Sequence, residues 1–338
     1  MLPRSIVSGT LLALFLFSGL AHAQKKPKPK AWTKPNRAKK QDADFLIQGE
    51  YVGEVEIDNR MEVGTQIIAL GDGKFTAKNY IGGLPGDGAT GGLHSSIEGT
   101  TQDDGSVLFR GEQADGVLKD AAITIVYEGD EVGTLKKVTR KSKTLGKKPP
   151  SDAVVLFNGK GNDHWDNAVM DGKLLAFDPK GRGATSKEKF GSHSVHIEFR
   201  LPYMPTARGQ GRGNSGIYLQ SRYEVQMLDS FGLDGKDNEC GGIYKIAKPK
   251  VNMCYPPLTW QTYDIDFNAA EYNDAGEVVK NPTMTVRHNG VLIHEDLELP
   301  HRTTASPLPA GPEDAPIYLQ NHGNPVRYRN IWVVKKAD

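Results

Sequence analysis

Residues Gly211–Asp229 read GRGNSGIYLQSRYEVQMLD, and the fold turns on how that run is divided. At the two-residue period of a β-strand, Ile217, Leu219, Tyr223, Val225 and Met227 share one side, interrupted only by Ser221. Tyr218, Gln220, Arg222, Glu224, Gln226 and Leu228 share the other. The first set is a core face. The second puts a carboxylate, a guanidinium and two amides on one strand. Asp229 falls on the apolar side, where an unpaired carboxylate is costly or shifts its pKa. Either the strand ends before Asp229, or a β-bulge at Met227 and Leu228 turns Asp229 onto the Glu224 face. A solvated outer strand with incidental charges is the plainer alternative.

Neighbouring runs repeat the pattern. HSVHIEFRL sets Val195, Ile197, Phe199 and Leu201 against Ser194, His196, Glu198 and Arg200. TWQTYDIDFNA sets Tyr263, Ile265 and Phe267 against Thr262, Asp264 and Asp266. MTVRHNGVLIHEDLEL carries Asn289-Gly290, a two-residue hairpin signal. With 38 glycines, 20 prolines and no sustained helical period, the chain reads as all-β, with two stacked antiparallel sheets over residues 153–338. Residues 44–140 read as a smaller β-domain, with hairpins at Gly71-Asp72-Gly73 and Asp103–Gly105. It shows no cluster of His, Cys, Asp and Glu and reads as an accessory module. Its GGLPGDGATGG run (Gly82–Gly92) lacks the lysine and helix of a phosphate loop and reads as a flexible loop. Residues 141–152 form a basic, proline-containing linker.

Residues 1–23 have the pattern of a signal peptide: Arg4, the short apolar run LLALFLFSGL, then AHA. Residues 24–43 read as a basic, disordered tether, able to contact an anionic cell envelope electrostatically. No later stretch resembles a transmembrane helix, so the mature chain is expected to be exported: periplasmic, cell-surface or extracellular. Lys plus Arg (42) balance Asp plus Glu (41), so no net field favours nucleic acid as a partner. In an oxidising compartment the two cysteines, Cys240 and Cys254, are a disulfide candidate, with two buried free thiols as the alternative.

The bulged reading has chemical content. Glu224, Gln226 and Asp229 would line one polar groove. Glycosidic cleavage commonly uses two carboxyl groups, about 5–5.5 Å apart for retention and about 6.5–9.5 Å for inversion. The spacing resembles the Glu-x-Asp-x-x-Glu strand of β-glucanase jelly rolls. Gln226 replaces the central Asp and Asp229 the last Glu, a departure that argues against double displacement. Gln320 and His322 lie two apart in LQNHGNPVRYRN, followed by Arg327 and Arg329. His322 can serve as acid or base near neutral pH. Tyr244 and Lys245 follow paired glycines. Tyr218 and Trp260 are sugar-stacking candidates, and Asn214 and Ser215 can cap the groove or shape a turn.

In order along residues 154–334 stand VVLFNGK, KFGSHSVHIEFRLP, GRGNSGIYLQSRYEVQMLDSFG, GGIYK, WQTYDIDFNA, TVRHNGVLIHE and IYLQNHGNPVRYRNIWV. This segment closely resembles the 3-keto-disaccharide hydrolase domain. The resemblance implies a concanavalin A-like, glucanase-type jelly-roll β-sandwich acting on oligosaccharides or glycosides oxidised at C3. On that reading Glu224 or His322 is the base, and Asp229 is the partner acid or a metal or sugar ligand. Arg222, Gln226 and Arg329 hold the sugar, with Asn214, Tyr218, Tyr244, Lys245 and Gln320 completing the binding site. A divalent metal can steady an enediolate, but the sequence shows no clear ligand cluster and no cofactor is assigned. The rivals are a lectin-like module that binds without cutting, a conventional glycosidase on unmodified glycans, and a surface interaction protein.

Overall fold

A computed structural model describes residues 29–178 and 180–336. The expected signal peptide lies outside these residues. Among the described residues no helix is long and apolar enough to cross a membrane.

Eight strands come first: β1 (Gly49–Glu56), β2 (Arg60–Gly71), β3 (Lys74–Ile81), β4 (Ser95–Thr101), β5 (Val107–Phe109), β6 (Asp115–Lys119), β7 (Ala122–Tyr127) and β8 (Asp130–Val138). Each pairs antiparallel with the next, and β8 returns to β1, closing a barrel. Asp72 and Gly73 adopt left-handed φ (55° and 69°) in the β2–β3 turn, as the GDG signal anticipated. Period-two alternation sends Tyr51, Ile67, Phe75, Phe109 and Leu135 into a common core.

A β-sandwich follows: β9 (Val154–Phe157), β10 (Trp165–Asp166), β11 (Ala168–Asp171), β12 (Leu174–Phe177), β13 (Ala184–Phe190), β14 (His193–Arg200), β15 (Ser215–Leu219), β16 (Tyr223–Met227), β17 (Trp260–Asn268), β18 (Glu271–Tyr272), β19 (Val278–Lys280), β20 (Thr283–His288), β21 (Val291–Glu298), β22 (Ala315–Leu319) and β23 (Arg327–Lys335). One sheet has the order β10-β13-β22-β15-β16, the other β11-β12-β23-β14-β17-β20-β21. Their facing sides supply one core: Ile217, Leu219, Val225 and Met227 from the first; Val195, Ile197, Ile265 and Phe267 from the second. This is the jelly-roll β-sandwich expected.

The segment before the barrel differs from expectation. The segment expected as a disordered tether carries a helix, α1 (Pro35–Gln41), and a short turn of helix, α2 (Asp44–Ile47), follows it at the start of the smaller domain. Proline at the start of α1 costs no hydrogen bond, because the first helical N–H groups have no intrahelical partner. Trp32 pairs through its backbone with Tyr203 in both directions at 3.0 Å, and Ala38 is buried. The basic linker is also laid down. Ser142 Oγ meets Thr262 Oγ1 at 2.6 Å, Gly146 N–H donates to Glu198 Oε1 (2.6 Å), and Lys147 Nζ reaches Asp264 (3.1 Å). The linker covers the outer face of the larger sheet, which explains the burial of His196 and Glu198 there.

Candidate functional site

The run read as one continuous strand is a hairpin. β15 and β16 pair as Ile217↔Val225, Tyr218↔Glu224 and Leu219↔Tyr223. Gln220 and Ser221 form the turn, both at left-handed φ (51° and 53°), with Arg222 N–H donating to Leu219 O at 3.0 Å. Such a turn normally selects Asn-Gly; here tertiary bonds hold it. Ser221 Oγ donates to Pro316 O (2.8 Å), and Gln220 Nε2 donates to Phe190 O (3.1 Å). Opposed residues share a face, so the two-sided division of the run survives the turn.

Glu224 lies on the outer face of the smaller sheet, 2 % exposed, with its carboxyl folded over Gly216. A Cβ at position 216 would fall 2.2 Å from Glu224 Oε1, so only glycine leaves room for the carboxyl. Burial pushes Glu224 up to about 8, with the Tyr218 hydroxyl pulling slightly the other way. Burial, then the neighbouring Glu224, raises Tyr218 and keeps its phenol protonated. Gln320 Nε2 donates to the Tyr218 hydroxyl at 3.0 Å. The Tyr318 ring stands edge-on to Tyr218 at 5.5 Å.

β16 is the edge of its sheet, and backbone from the Gly241–Tyr244 segment completes it. Gln226 N–H donates to Gly242 O (2.9 Å), and Tyr244 N–H donates to Glu224 O (3.3 Å). This puts Tyr244 beside the site, with exposed Lys245 over its ring at 5.8 Å. Asn214 Nδ2 donates to Gln210 O (2.9 Å), Gln226 Nε2 donates to Gln210 Oε1 (3.2 Å), and Asn214 N–H donates to Asn324 Oδ1 (2.7 Å). Asn214 Oδ1 is buried without a hydrogen-bond partner among the described residues. The structure thus gathers Glu224, Tyr218, Gln226, Asn214, Gln320, Tyr244 and Lys245.

Other expected residues stand elsewhere. β16 ends at Met227 with no bulge, so Asp229 does not join Glu224. It is 3 % exposed and accepts from Arg212 Nε at 2.6 Å, while Arg212 Nη1 reaches Ala69 O of β2 at 3.3 Å. Asp229 therefore neutralises a buried guanidinium at the seam with the barrel. Arg222 donates to Pro309 O (2.7 Å), Glu313 O (3.1 Å) and Gln220 Oε1 (3.1 Å), pinning a loop rather than facing a sugar. Arg329 lies on the larger sheet, where its Nε donates to Glu198 Oε2 (2.6 Å) and its guanidinium stacks on Trp260 at 4.1 Å. Its side chain projects from the opposite outer face of the sandwich, and so does Trp260. His322 is exposed in the loop after β22 and makes no hydrogen bond among the described residues. Cys240 and Cys254 are unbridged: both are buried free thiols, Cys240 Sγ at 3.3 Å from the Tyr263 hydroxyl and Cys254 Sγ at 3.4 Å from Leu228 O. No group of three or more His, Cys, Asp or Glu is arranged to hold a metal among the described residues.

Tyr318, Gln210 and Asn324 were not anticipated. Tyr318 was accessible from the period-two register with Gln320 in APIYLQ; Gln210 and Asn324 sit in loops without periodic signal.

The arrangement offers a proton-exchanging carboxyl near neutral pH, a phenol that stays protonated, and amides that can orient hydroxyl groups. The model of the 3-keto-alpha-glucoside-1,2-lyase-like domain matches residues 152–334. A crystal structure of a candidate glycosyl hydrolase from Parabacteroides distasonis ATCC 8503 is 35% identical, covering 55% of this chain and 85% of that one, with TM-score 0.51. Two other candidate glycosyl hydrolases from that organism are 14% and 18% identical. They cover 55% and 54% of this chain and 94% and 99% of their own, with TM-scores of 0.40 and 0.39. No protein of curated function matches the chain. The chain belongs to the 3-keto-alpha-glucoside-1,2-lyase-like domain family and is a carbohydrate-active, glycosyl hydrolase-like enzyme.

Proposed function

We propose that the protein cleaves glycosides already oxidised at C3, by elimination followed by hydration, with Glu224 exchanging the proton. The observation that carries this reading is a single buried carboxyl, shifted to about 8 by burial, with no neighbouring carboxylate contributing to the shift. A double displacement needs a second carboxyl about 5–5.5 Å away, and Asp229 is committed to Arg212. A C3 ketone makes the C2 proton acidic. Ionised Glu224 takes that proton, and the electron pair becomes the enediolate. The pair then returns to form the C1–C2 double bond as the C1–O bond to the leaving group breaks, and the leaving oxygen takes up the proton that Glu224 carries, restoring the carboxylate. Water then adds across C1 and C2. A base of pKa about 8 is stronger than an ordinary carboxylate and still ionises near neutral pH. The protonated Tyr218 hydroxyl, held by Gln320, is a donor for the developing oxyanion.

The test is side-by-side turnover of a plain disaccharide and its C3-oxidised counterpart. Release from the oxidised sugar alone supports the reading. Equal release from both favours a conventional glycosidase, and saturable binding without release favours a lectin-like module. Export is part of the same proposal, on the pattern of residues 1–23. It is checked by the mass of the N-terminus recovered from secreting cells, expected to begin near Gln24.

A further inference from the structure

The barrel encloses a cavity of about 690 Å³ that nothing in the glycoside chemistry uses. Eight strands are the number at which a barrel either fills with side chains or holds one small ligand, and pockets for small ligands span about 300–1,000 Å³. Val63, Ile67, Ile97, Phe109, Ile123 and Ile125 line this one. Val63, Ile97 and Ile125 face inward yet remain half-buried, because the interior is not packed shut. One end is closed. Tyr51, Phe75 and Leu135 are fully buried there, with Phe45 and Ile47 of the α2 turn packed against them. The other end is a mouth, where Ile57 is 37 % exposed on the cavity rim.

Inside the apolar wall runs one polar chain. Thr65 Oγ1 donates to Asn79 Oδ1 (2.7 Å), and Asn79 Nδ2 donates to Ser95 Oγ (3.0 Å). All three residues line the cavity. They are neutral. The charged lining residues Glu98, Arg110, Glu112 and Asp115 mix both signs, and Arg110 lies 3.9 Å from Asp115. Glu98, Arg110 and Glu112 are exposed, so a ligand charge buried beyond them would lie among uncharged groups, a costly arrangement.

We propose that the barrel is a binding cup for one small, uncharged amphiphile, an aromatic or aliphatic body bearing a hydroxyl or carbonyl that joins the Thr65–Asn79–Ser95 chain. The inference is independent of the reaction assigned to Glu224.

The test uses the full chain and N-phenyl-1-naphthylamine, a neutral probe that brightens in apolar surroundings. Saturable binding at one equivalent is expected, with 8-anilinonaphthalene-1-sulfonate at least tenfold weaker because of its charge. Two filling substitutions on separate strands, Ala77→Phe and Ile125→Trp, are each expected to weaken the neutral probe at least tenfold while turnover at Glu224 is kept. 1-Naphthol should displace the probe better than naphthalene, and Asn79→Leu should erase that preference. No saturable binding by the wild-type chain, or undiminished binding by either filled variant that folds, overturns the proposal. Two filling sites and the wild-type titration keep it decidable if one variant does not fold.

Discussion

Tyr218 stands directly opposite Glu224 across the β15–β16 hairpin, and the carboxyl of Glu224 lies back over Gly216 on the same face. The pair is buried together, and burial is the main cause of both of their upward pKa shifts. A proton on Glu224 therefore stabilises the folded chain, and a charge there destabilises it.

The sign of the resulting pH dependence follows. Between the carboxyl's ordinary 4.5 and about 8, the unfolded chain has released a proton that the folded chain retains. Stability should fall as pH rises through that window. Glu224→Gln, which carries no charge to desolvate, should remove that decline and gain on the order of 2–3 kcal/mol at pH 7. Denaturant melts of both proteins from pH 4 to pH 9 (about half-unit steps) check it.

Gly216→Ala tests the packing beneath the carboxyl. The new Cβ would fall 2.2 Å from Glu224 Oε1, and the carboxyl must move. A misplacement of a reacting group by about 1 Å costs about 100-fold in rate. Turnover should fall by about that factor while the far-ultraviolet circular dichroism spectrum stays that of the wild type.

Asp229→Asn tests the reassignment of that carboxylate. It leaves Arg212 charged, buried and poorly paired at the seam with the barrel. Removing one partner of a buried pair costs about 3–5 kcal/mol, so the melting temperature should fall. Protein that remains folded should keep near wild-type kcat. A selective loss of kcat at unchanged stability would return Asp229 to the chemistry.

On the other face, burial pushes Glu198 up, but His196, Asn330, the Gly146 N–H and Arg329 outweigh it and hold it near 2. That stabilisation is present above 4.5 and lost as pH falls toward about 2. Glu198→Gln should cost about 2 kcal/mol at pH 7 and narrow its gap from wild type in acid. Melts at pH 7 and pH 3 (about the midpoint of the window) separate the two.

The sandwich was legible because burial on one face imposes a period of two, and HSVHIEFRL and TWQTYDIDFNA obey it. Asn289-Gly290 and Gly71-Asp72-Gly73 mark their turns because left-handed φ favours those residues. Gln220-Ser221 carries no such mark. It turns because Pro316, Phe190 and the Pro309–Glu313 loop hold it, and those contacts are distant in sequence. Glu224 was legible because the period of two sets it on the polar side of its run with Arg222 and Gln226. Asp229 and Arg329 were misplaced for a shared reason: a charge is allocated by its partner, and neither Arg212 nor Glu198 can be matched to them by local spacing. The tether was misread because basic composition describes solvation, not the Trp32–Tyr203 contact that docks it.

The most direct measurement of the central claim is kcat/KM against pH for wild type and Glu224→Gln on a C3-oxidised disaccharide, with the unoxidised sugar as control. Wild-type kcat/KM is expected to rise with pH and level above about 8, Glu224→Gln to lose at least about 1,000-fold without unfolding, and the plain sugar to stay uncleaved. A folded Glu224→Gln protein that keeps the wild-type rate and pH profile would contradict it.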